Sequence, residues 1–250
     1  MIRADVLLTL FGHCPSRTLA AQLIKEGRVK VGGQTVKKPS QPVDEFQPVE
    51  ILSSPLTRYV GRGGLKLEAA LDAFSLNVQG QVCLDVGAST GGFTDCLLQH
   101  GARQVISVDV GTAQLHPKLR FDKRVVCREN TNARNLDLAT LPKDLSVVVM
   151  DVSFTSQAPF YPMIARVLPP DGFGVLLIKP QFEVGRAQVG KNGIVKNQSA
   201  VRTVLDTLAL TLQAHGLERR GLIPCPITGG DGNQEYLQLI TPQKNGGVTP

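Results

Sequence analysis

The sequence has no Cys-x-x-Cys pair, and its five cysteines (Cys14, Cys83, Cys96, Cys127, Cys225) are odd in number. That pattern supports neither a zinc ribbon nor a disulfide framework. Cysteines set inside apolar runs are expected to be small core residues of a reducing cytoplasm. Long hydrophobic runs are missing too: the apolar stretches at 147–150 and 175–178 are far too short to span a bilayer. The opening Met1-Ile2-Arg3-Ala4-Asp5 lacks the form of a signal peptide. No internal repeat, heptad pattern or low-complexity tract interrupts the chain. A soluble, cytoplasmic protein without a metal site is expected.

What is present is 250 residues, 42% of them hydrophobic, enough for a sizeable core in one large domain or two unequal ones. The net charge of +6 is unevenly placed. Residues 1–62 carry nine Lys/Arg against five acids, and the remainder 18 against 16. A basic first quarter suits a polyanion, most simply nucleic acid, although charge alone is equally compatible with a solvated surface.

Residues 3–12 read as an amphipathic helix with Val6, Leu7 and Leu10 on one face. Ser16 is a good N-cap for a second helix that stops at Gly27. Short strands at 29–31 and 35–37 flank a Gly32-Gly33 turn, and another strand is expected at 49–52. Residues 53–57 look like a break. A helix follows at 65–74. From 82 onward, strand patterns (82–86, 105–109, 125–127, 145–151, 175–179, 221–226, 235–241) alternate with helical ones, including 199–213. That alternation signals an α/β domain with a mostly parallel sheet. Residues 227–234 leave no room for a helix, so the last two strands should form an antiparallel hairpin at one edge. The expected divisions are a small α+β domain at 1–57, a linker at 58–64, the α/β domain at 65–242 and a disordered tail at 243–250.

The most informative stretch is Leu84-Asp85-Val86-Gly87-Ala88-Ser89-Thr90-Gly91-Gly92-Phe93. An apolar strand ends in a glycine-rich turn that opens directly into a helix, the arrangement that lets backbone approach a bound nucleotide. The spacing is Gly-x-x-x-Gly-Gly, not the Gly-x-Gly-x-x-Gly of dinucleotide sites. An acid two positions before the first glycine fits the loop of S-adenosylmethionine-dependent methyltransferases better. Asp109 ends the next strand, 24 positions after Asp85, about where an acid meets ribose hydroxyls in a nucleotide-binding βαβ unit. A tight turn and a capping Asp are the purely structural alternative.

Ligands of open α/β sheets sit beyond the carboxyl ends of the strands. Asp151 and Lys179 close two of them. Glu235 opens the last strand, which reaches the same edge if it runs antiparallel, and Lys66 lies on the helix before the first strand. An ammonium at the rim of a core needs a partner, so Lys179 is either a snorkelling side chain paired with Asp151 or a functional amine. In the functional reading a lysine, its neighbour Lys66 and the two carboxylates serve to take a proton from a ribose hydroxyl.

The basic first module resembles the RNA-binding module first described in a small-subunit ribosomal protein, through Arg3, Asp5, Leu7, Ser16, Arg17, Ala20, Leu23, Ile24, Gly27, Val29, Val31, Gly33, Lys38 and Pro39. Followed by Arg62-Gly63-Gly64-Leu65-Lys66-Leu67, the glycine loop, Asp109-Val110-Gly111-Thr112-Ala113-Gln114-Leu115, Asn130-Thr131-Asn132-Ala133-Arg134, Asp151-Val152-Ser153-Phe154 and Lys179-Pro180-Gln181-Phe182-Glu183, the whole resembles the TlyA (hemolysin A) family of ribosomal RNA 2′-O-methyltransferases over about residues 1–242. The resemblance implies a Rossmann-like, FtsJ-like methyltransferase domain and a catalytic tetrad of Lys66, Asp151, Lys179 and Glu235. It implies S-adenosylmethionine held by Asp85, Gly87, Ala88, Ser89, Gly91, Gly92, Phe93, Asp109, Val110, Glu129, Asn130, Asn132 and Asp151. Ribosomal RNA in ribosomal subunits would be held by Arg3, Arg17, Lys25, Arg28, Lys30, Lys38 and Arg62. The chain has no tryptophan; where some members carry one in the linker, Tyr59 stands here. Two other function classes remain open from the sequence: a pore-forming haemolysin, as the family's older name suggests, and a ribosome-binding factor without catalysis. The missing secretion signal and missing alternating barrel strands count against the first. The complete tetrad counts against the second.

Overall fold

A computed structural model describes residues 1–14, 16–52, 54, 57–229 and 232–243. The expected tail therefore lies, apart from Gln243, outside the described residues, as do Ser53, Pro55 and Leu56 of the expected break. The chain divides into two compact units, Met1–Arg58 and a second beginning at Tyr59.

The first unit runs β1 (Ile2–Arg3), α1 (Ala4–Leu10), α2 (Arg17–Lys25), β2 (Val29–Val31), β3 (Gln34–Thr35), β4 (Pro42–Val43) and β5 (Val49–Ile51). The Ser16 side chain accepts from Leu19 N and so satisfies a free amide at the start of α2. β3, β2 and β5 form an antiparallel sheet, and β1 pairs with β4. The buried face of α1 is Ala4, Leu7 and Leu8, not the expected Val6, Leu7 and Leu10; Leu10 is exposed. The reason is that α1 ends at Leu10, so its short cylinder turns position 8 toward Leu23, Ile24 and Val29 of the small core.

The second unit runs α3 (Gly63–Ala73), β6 (Val82–Val86), α4 (Gly92–Gln99), β7 (Gln104–Val108), α5 (Pro117–Arg120), β8 (Val125–Arg128), β9 (Leu145–Met150), α6 (Tyr161–Val167), β10 (Phe173–Ile178), α7 (Pro180–Glu183), α8 (Gln198–Ala214), β11 (Leu217–Pro224) and β12 (Tyr236–Pro242). The seven strands lie in the order β11-β12-β10-β9-β6-β7-β8. All neighbouring pairs are parallel except those made by β12, which opposes both β10 and β11. β6 is buried along its whole length, as a strand covered on both faces must be, which explains its unbroken apolar pattern. One core lies on each face: Leu84, Met150, Ile164, Leu176 and Leu212 share one, and Leu67, Cys83, Leu97, Val149 and Leu177 the other.

From β6 the chain winds outward through β7 and β8, then returns to add β9 and β10 on β6's other side. That reversal leaves a crevice beyond the carboxyl ends of β6, β7 and β9. The residues expected as a linker are held to this unit instead. Tyr59 is 4% exposed and packs with Leu67 and Phe93, its hydroxyl donates to Glu68, and Val60 N donates to the buried Asp95 carboxylate. An aromatic ring that fills a core leaves water, which outweighs a free linker's chain entropy. Gln243, placed at the start of the tail, donates its N–H to Gly216 O.

Candidate active site

Two of the loop glycines are required, for different reasons. Gly87 follows β6 with φ 82°, and a Cβ there would lie 2.4 Å from the backbone oxygen of Asp151. Gly91, at φ 96°, caps α4, and its Cβ would collide with the Leu119 and Leu115 side chains. Packing against α5, rather than approach of a ligand, explains Gly91.

The Asp109 carboxylate accepts from Ser89 N and Gly111 N at 2.8 and 2.7 Å, tying the end of β7 to the glycine loop. Two adjoining cavities open here. One, of about 340 Å3, is lined among others by Val86, Gly87, Asp109, Val110, Asn132 and Phe160. The other, of about 230 Å3, is lined among others by Arg62, Ala88, Gly92, Phe93 and Lys179. Gly87, Ser89, Asp151 and Ser153 border both.

Four residues expected at a cofactor do not line this cleft: Gly91, already accounted for, and Glu129, Asn130 and Asp85. Glu129 accepts from the backbone N–H groups of Ala113, Gln114 and Leu115, each at 2.8 Å, and from Arg120. The Arg120 guanidinium, with those amides, holds its carboxyl down at about 2. It braces a loop. Asn130 is exposed beside it, in a left-handed conformation at φ 52°. Asp85 has no exposed surface: it lies beneath the loop, accepting from the Thr94 hydroxyl, which also meets Ser107 Oγ. A carboxylate set into the central strand faces the core interior and is covered by α4, so it cannot touch a ligand directly.

Burial pushes the Asp85 carboxyl up to about 7, opposed by the Thr94 hydrogen bond and reinforced by the negative charges of Asp151 and Asp109. The folded pKa then stands above the unfolded value of about 4, so the folded protein binds this proton more tightly. Stability from this group is lost as pH rises from about 4 to about 7. Asp85→Asn keeps an acceptor for Thr94 and should flatten that decline. Thermal unfolding across this range checks it, and an unchanged pH slope in the variant contradicts the assignment.

At the carboxyl edge the four charged candidates form two pairs. Lys66 Nζ of α3 lies 2.5 Å from Glu235 Oε2, with the residues 8% and 2% exposed. Lys179 Nζ lies 2.5 Å from Asp151 Oδ1, a contact of charges rather than an aligned hydrogen bond, since its directed bond runs to Ser153 Oγ at 2.7 Å. The reversed β12 brings Glu235 to this edge, because Tyr236 at its start pairs with Ile178 at the end of β10. Buried Cys225 donates its N–H to Glu235 O, and its thiol lies within the electrostatic reach of Lys66, Glu235 and Asp151. Burial, above all, pushes that thiol up, making it a poor nucleophile.

The sequence reading missed Cys225 and the contact of Ser153 with Lys179. It also passed over Phe154, which is largely exposed at φ 62° with its ring 5.2 Å from that of Phe182. The Asp151-Val152-Ser153-Phe154 run at a strand end is the signal for Ser153 and Phe154; no pattern in the sequence marks Cys225. Among the described residues no group of three His, Cys, Asp or Glu side chains is arranged to hold a metal.

The basic residues of the first unit are not equivalent. Arg3 and Arg17 both bind the buried Asp5 carboxylate, at 3.0 and 2.8 Å, and Arg3 foremost holds that carboxyl down at about 2. Lys30 pairs with Glu50 at 3.4 Å. Lys25, Arg28 and Lys38 are exposed and form no ion pair among the described residues. Arg62 stands in the second unit, on the wall of the cleft.

The sequence profile of the FtsJ-like methyltransferase family matches residues 59–240, and that of the S4 domain matches residues 2–49. The chain is similar to the 16S/23S rRNA (cytidine-2′-O)-methyltransferase TlyA of Mycobacterium tuberculosis, at 40% identity over 96% of this chain and 90% of the relative. It is 39% identical to Hemolysin A of Brachyspira hyodysenteriae, over 94% of this chain and 98% of that one. A solved structure from Streptococcus thermophilus, named as a suspected hemolysin, superposes with a TM-score of 0.77 at 41% identity, covering 97% of this chain and 88% of that one. Among the described residues no helix is long and apolar enough to cross a membrane.

Proposed function

The chain belongs to the FtsJ-like methyltransferase family, and from that premise we propose that it transfers a methyl group from S-adenosylmethionine to a ribose 2′-hydroxyl of ribosomal RNA, in the cytoplasm and on ribosomal subunits. The observation that carries this reading is the Lys179–Asp151 pair bordering the cavity beneath the glycine loop.

The residues present fit the cofactor. A cavity of about 340 Å3 falls within the roughly 300–1,000 Å3 of small-molecule sites. It offers apolar walls at Val108 and Phe160 for a base, and Asp109 and Asn132 at its rim for hydroxyls. Gly87 and Ser89 of the glycine loop border it. Asp151 Oδ1, buried and without a hydrogen bond, supplies negative charge facing a cationic donor. S-adenosylmethionine supplies an electrophilic methyl on its sulfonium. The protein's part is to hold the hydroxyl beside Lys179 in line with that methyl, a matter of positioning, and to take up the proton on Lys179 Nζ. Asp151 keeps the amine at the rim. Lys66 and Glu235 sit behind it as a second, drier pair.

The S4 unit docks RNA chiefly through phosphates, which position without specifying sequence. Lys25, Arg28 and Lys38 are the residues to change. Alanine at all three should weaken RNA binding and flatten the dependence of log K on log salt by roughly 0.7–0.9 for each phosphate no longer neutralised. Arg17→Ala should flatten it less, because Asp5 already offsets that charge, and should instead lower the melting temperature. Titrations at several salt concentrations decide, and equal slopes for the triple variant and the parent would exclude this docking face.

The function itself is tested by incubating ribosomal subunits with labelled S-adenosylmethionine and mapping ribose-methylated nucleotides. Label found on a base, on protein, or nowhere overturns the proposal.

A further inference from the structure

Ser153 has no role in the reading above, yet among the described residues it makes the one directed hydrogen bond of the Lys179 amine to a side chain. The parallel register of β9 and β10 sets Met150 against Leu176. The ladder ends there, and the segments that leave β9 and β10 at this edge carry Ser153 and Lys179 into contact. The loop that leaves β9 therefore delivers two oxygens to one nitrogen: Asp151 Oδ1 at 2.5 Å and Ser153 Oγ at 2.7 Å. All three residues border the same cavity.

An ammonium has three N–H donors and no lone pair. Once it loses a proton it keeps two N–H groups and gains one lone pair, and the direction of that pair decides whether it can accept from a substrate. Asp151 alone cannot set it. A contact of charges does not fix rotation about the Cε–Nζ bond, so the lone pair sweeps a cone. The directed bond to Ser153 Oγ fixes that rotation, and with Asp151 holding the amine at the rim it keeps the lone pair toward the cavity that all three residues border.

We propose that Ser153 is a positioning residue for Lys179: its hydroxyl, accepting from the amine, aims the lone pair into the cleft. The inference rests on Lys179 being the base. In the step, the proton leaves the 2′-oxygen for Nζ, the O–H electron pair stays on that oxygen and forms its bond to the methyl as the methyl–sulfur bond breaks with its pair going to sulfur, and Ser153 neither gains nor loses a proton.

The test is steady-state methyl transfer by Ser153→Ala, Ser153→Thr and Lys179→Arg, each full length, on ribosomal RNA with S-adenosylmethionine. Ser153→Ala should lower kcat roughly ten- to hundredfold, the size of a lost hydrogen bond to a charged group. The KM values for both substrates should be unchanged. Ser153→Thr, which restores the hydroxyl, should recover most of kcat. Parental kcat in Ser153→Ala overturns the proposal. So does a loss confined to the donor's KM and not recovered by threonine, which would make Ser153 a ligand contact. Normal turnover of Lys179→Arg removes the base reading itself. Inactive Lys179→Arg beside fully active Ser153→Ala leaves the base in place and removes only the role of Ser153.

Discussion

Lys179→Arg will not transfer methyl groups, although it preserves the positive charge and can preserve the contact with Asp151. A guanidinium stays protonated throughout the working pH range, so it pairs with a carboxylate but takes up no proton. Lys179→Ala will be equally silent, with a loss of roughly 10²–10⁴-fold, the contribution of a positioned general base. Both variants should still gain melting temperature on adding S-adenosylmethionine, as ligand linkage requires. The competing account, a rim lysine held only to neutralise Asp151, predicts near-normal turnover for the arginine variant and a lowered melting temperature for the alanine one. Single-turnover rates beside thermal unfolding separate the two.

The buried pair Lys66–Glu235 should give the largest change in stability. Removing one partner of a buried ion pair leaves the other desolvated and unpaired, at a cost of about 3–5 kcal/mol, whereas replacing both by apolar groups of similar size is often neutral. Lys66→Met should therefore destabilise by about that amount. The double change Lys66→Met with Glu235→Leu should recover most of the loss in denaturant unfolding. If the pair supports the chemistry as well as the packing, methyl transfer will stay impaired in the restored double variant. Return of both stability and activity would show that the pair is scaffold alone.

Much of the arrangement was legible because it is written in short-range pattern. The apolar runs ending in Asp85, Asp109, Asp151 and Lys179 mark strands whose carboxyl ends share an edge, and the glycine-rich segment before Glu235, too short for a helix, forces a reversed last strand. The partners of surface charges were not legible. That Arg3 and Arg17 share the carboxylate of Asp5, half a turn into α1, shows only in the fold. Glu129 looks like a ligand for a base until three backbone amides turn toward it. Gly91 looks like clearance for a ligand until Leu119 of α5 fills the space.

By itself the sequence determined the parallel sheet with its antiparallel edge, the glycine turn and the identity of the four charged residues at the rim. Each follows from periodicity, from glycine's freedom at positive φ or from residue type, and all of these are local. Only the tertiary structure decided that Lys66 belongs to Glu235, 169 positions away, and Lys179 to Asp151 and Ser153. It alone decided that Asp85 lies under the loop and not in the cleft. Pairing and burial depend on which elements cover a side chain, and desolvation scales with that cover rather than with any neighbour in sequence.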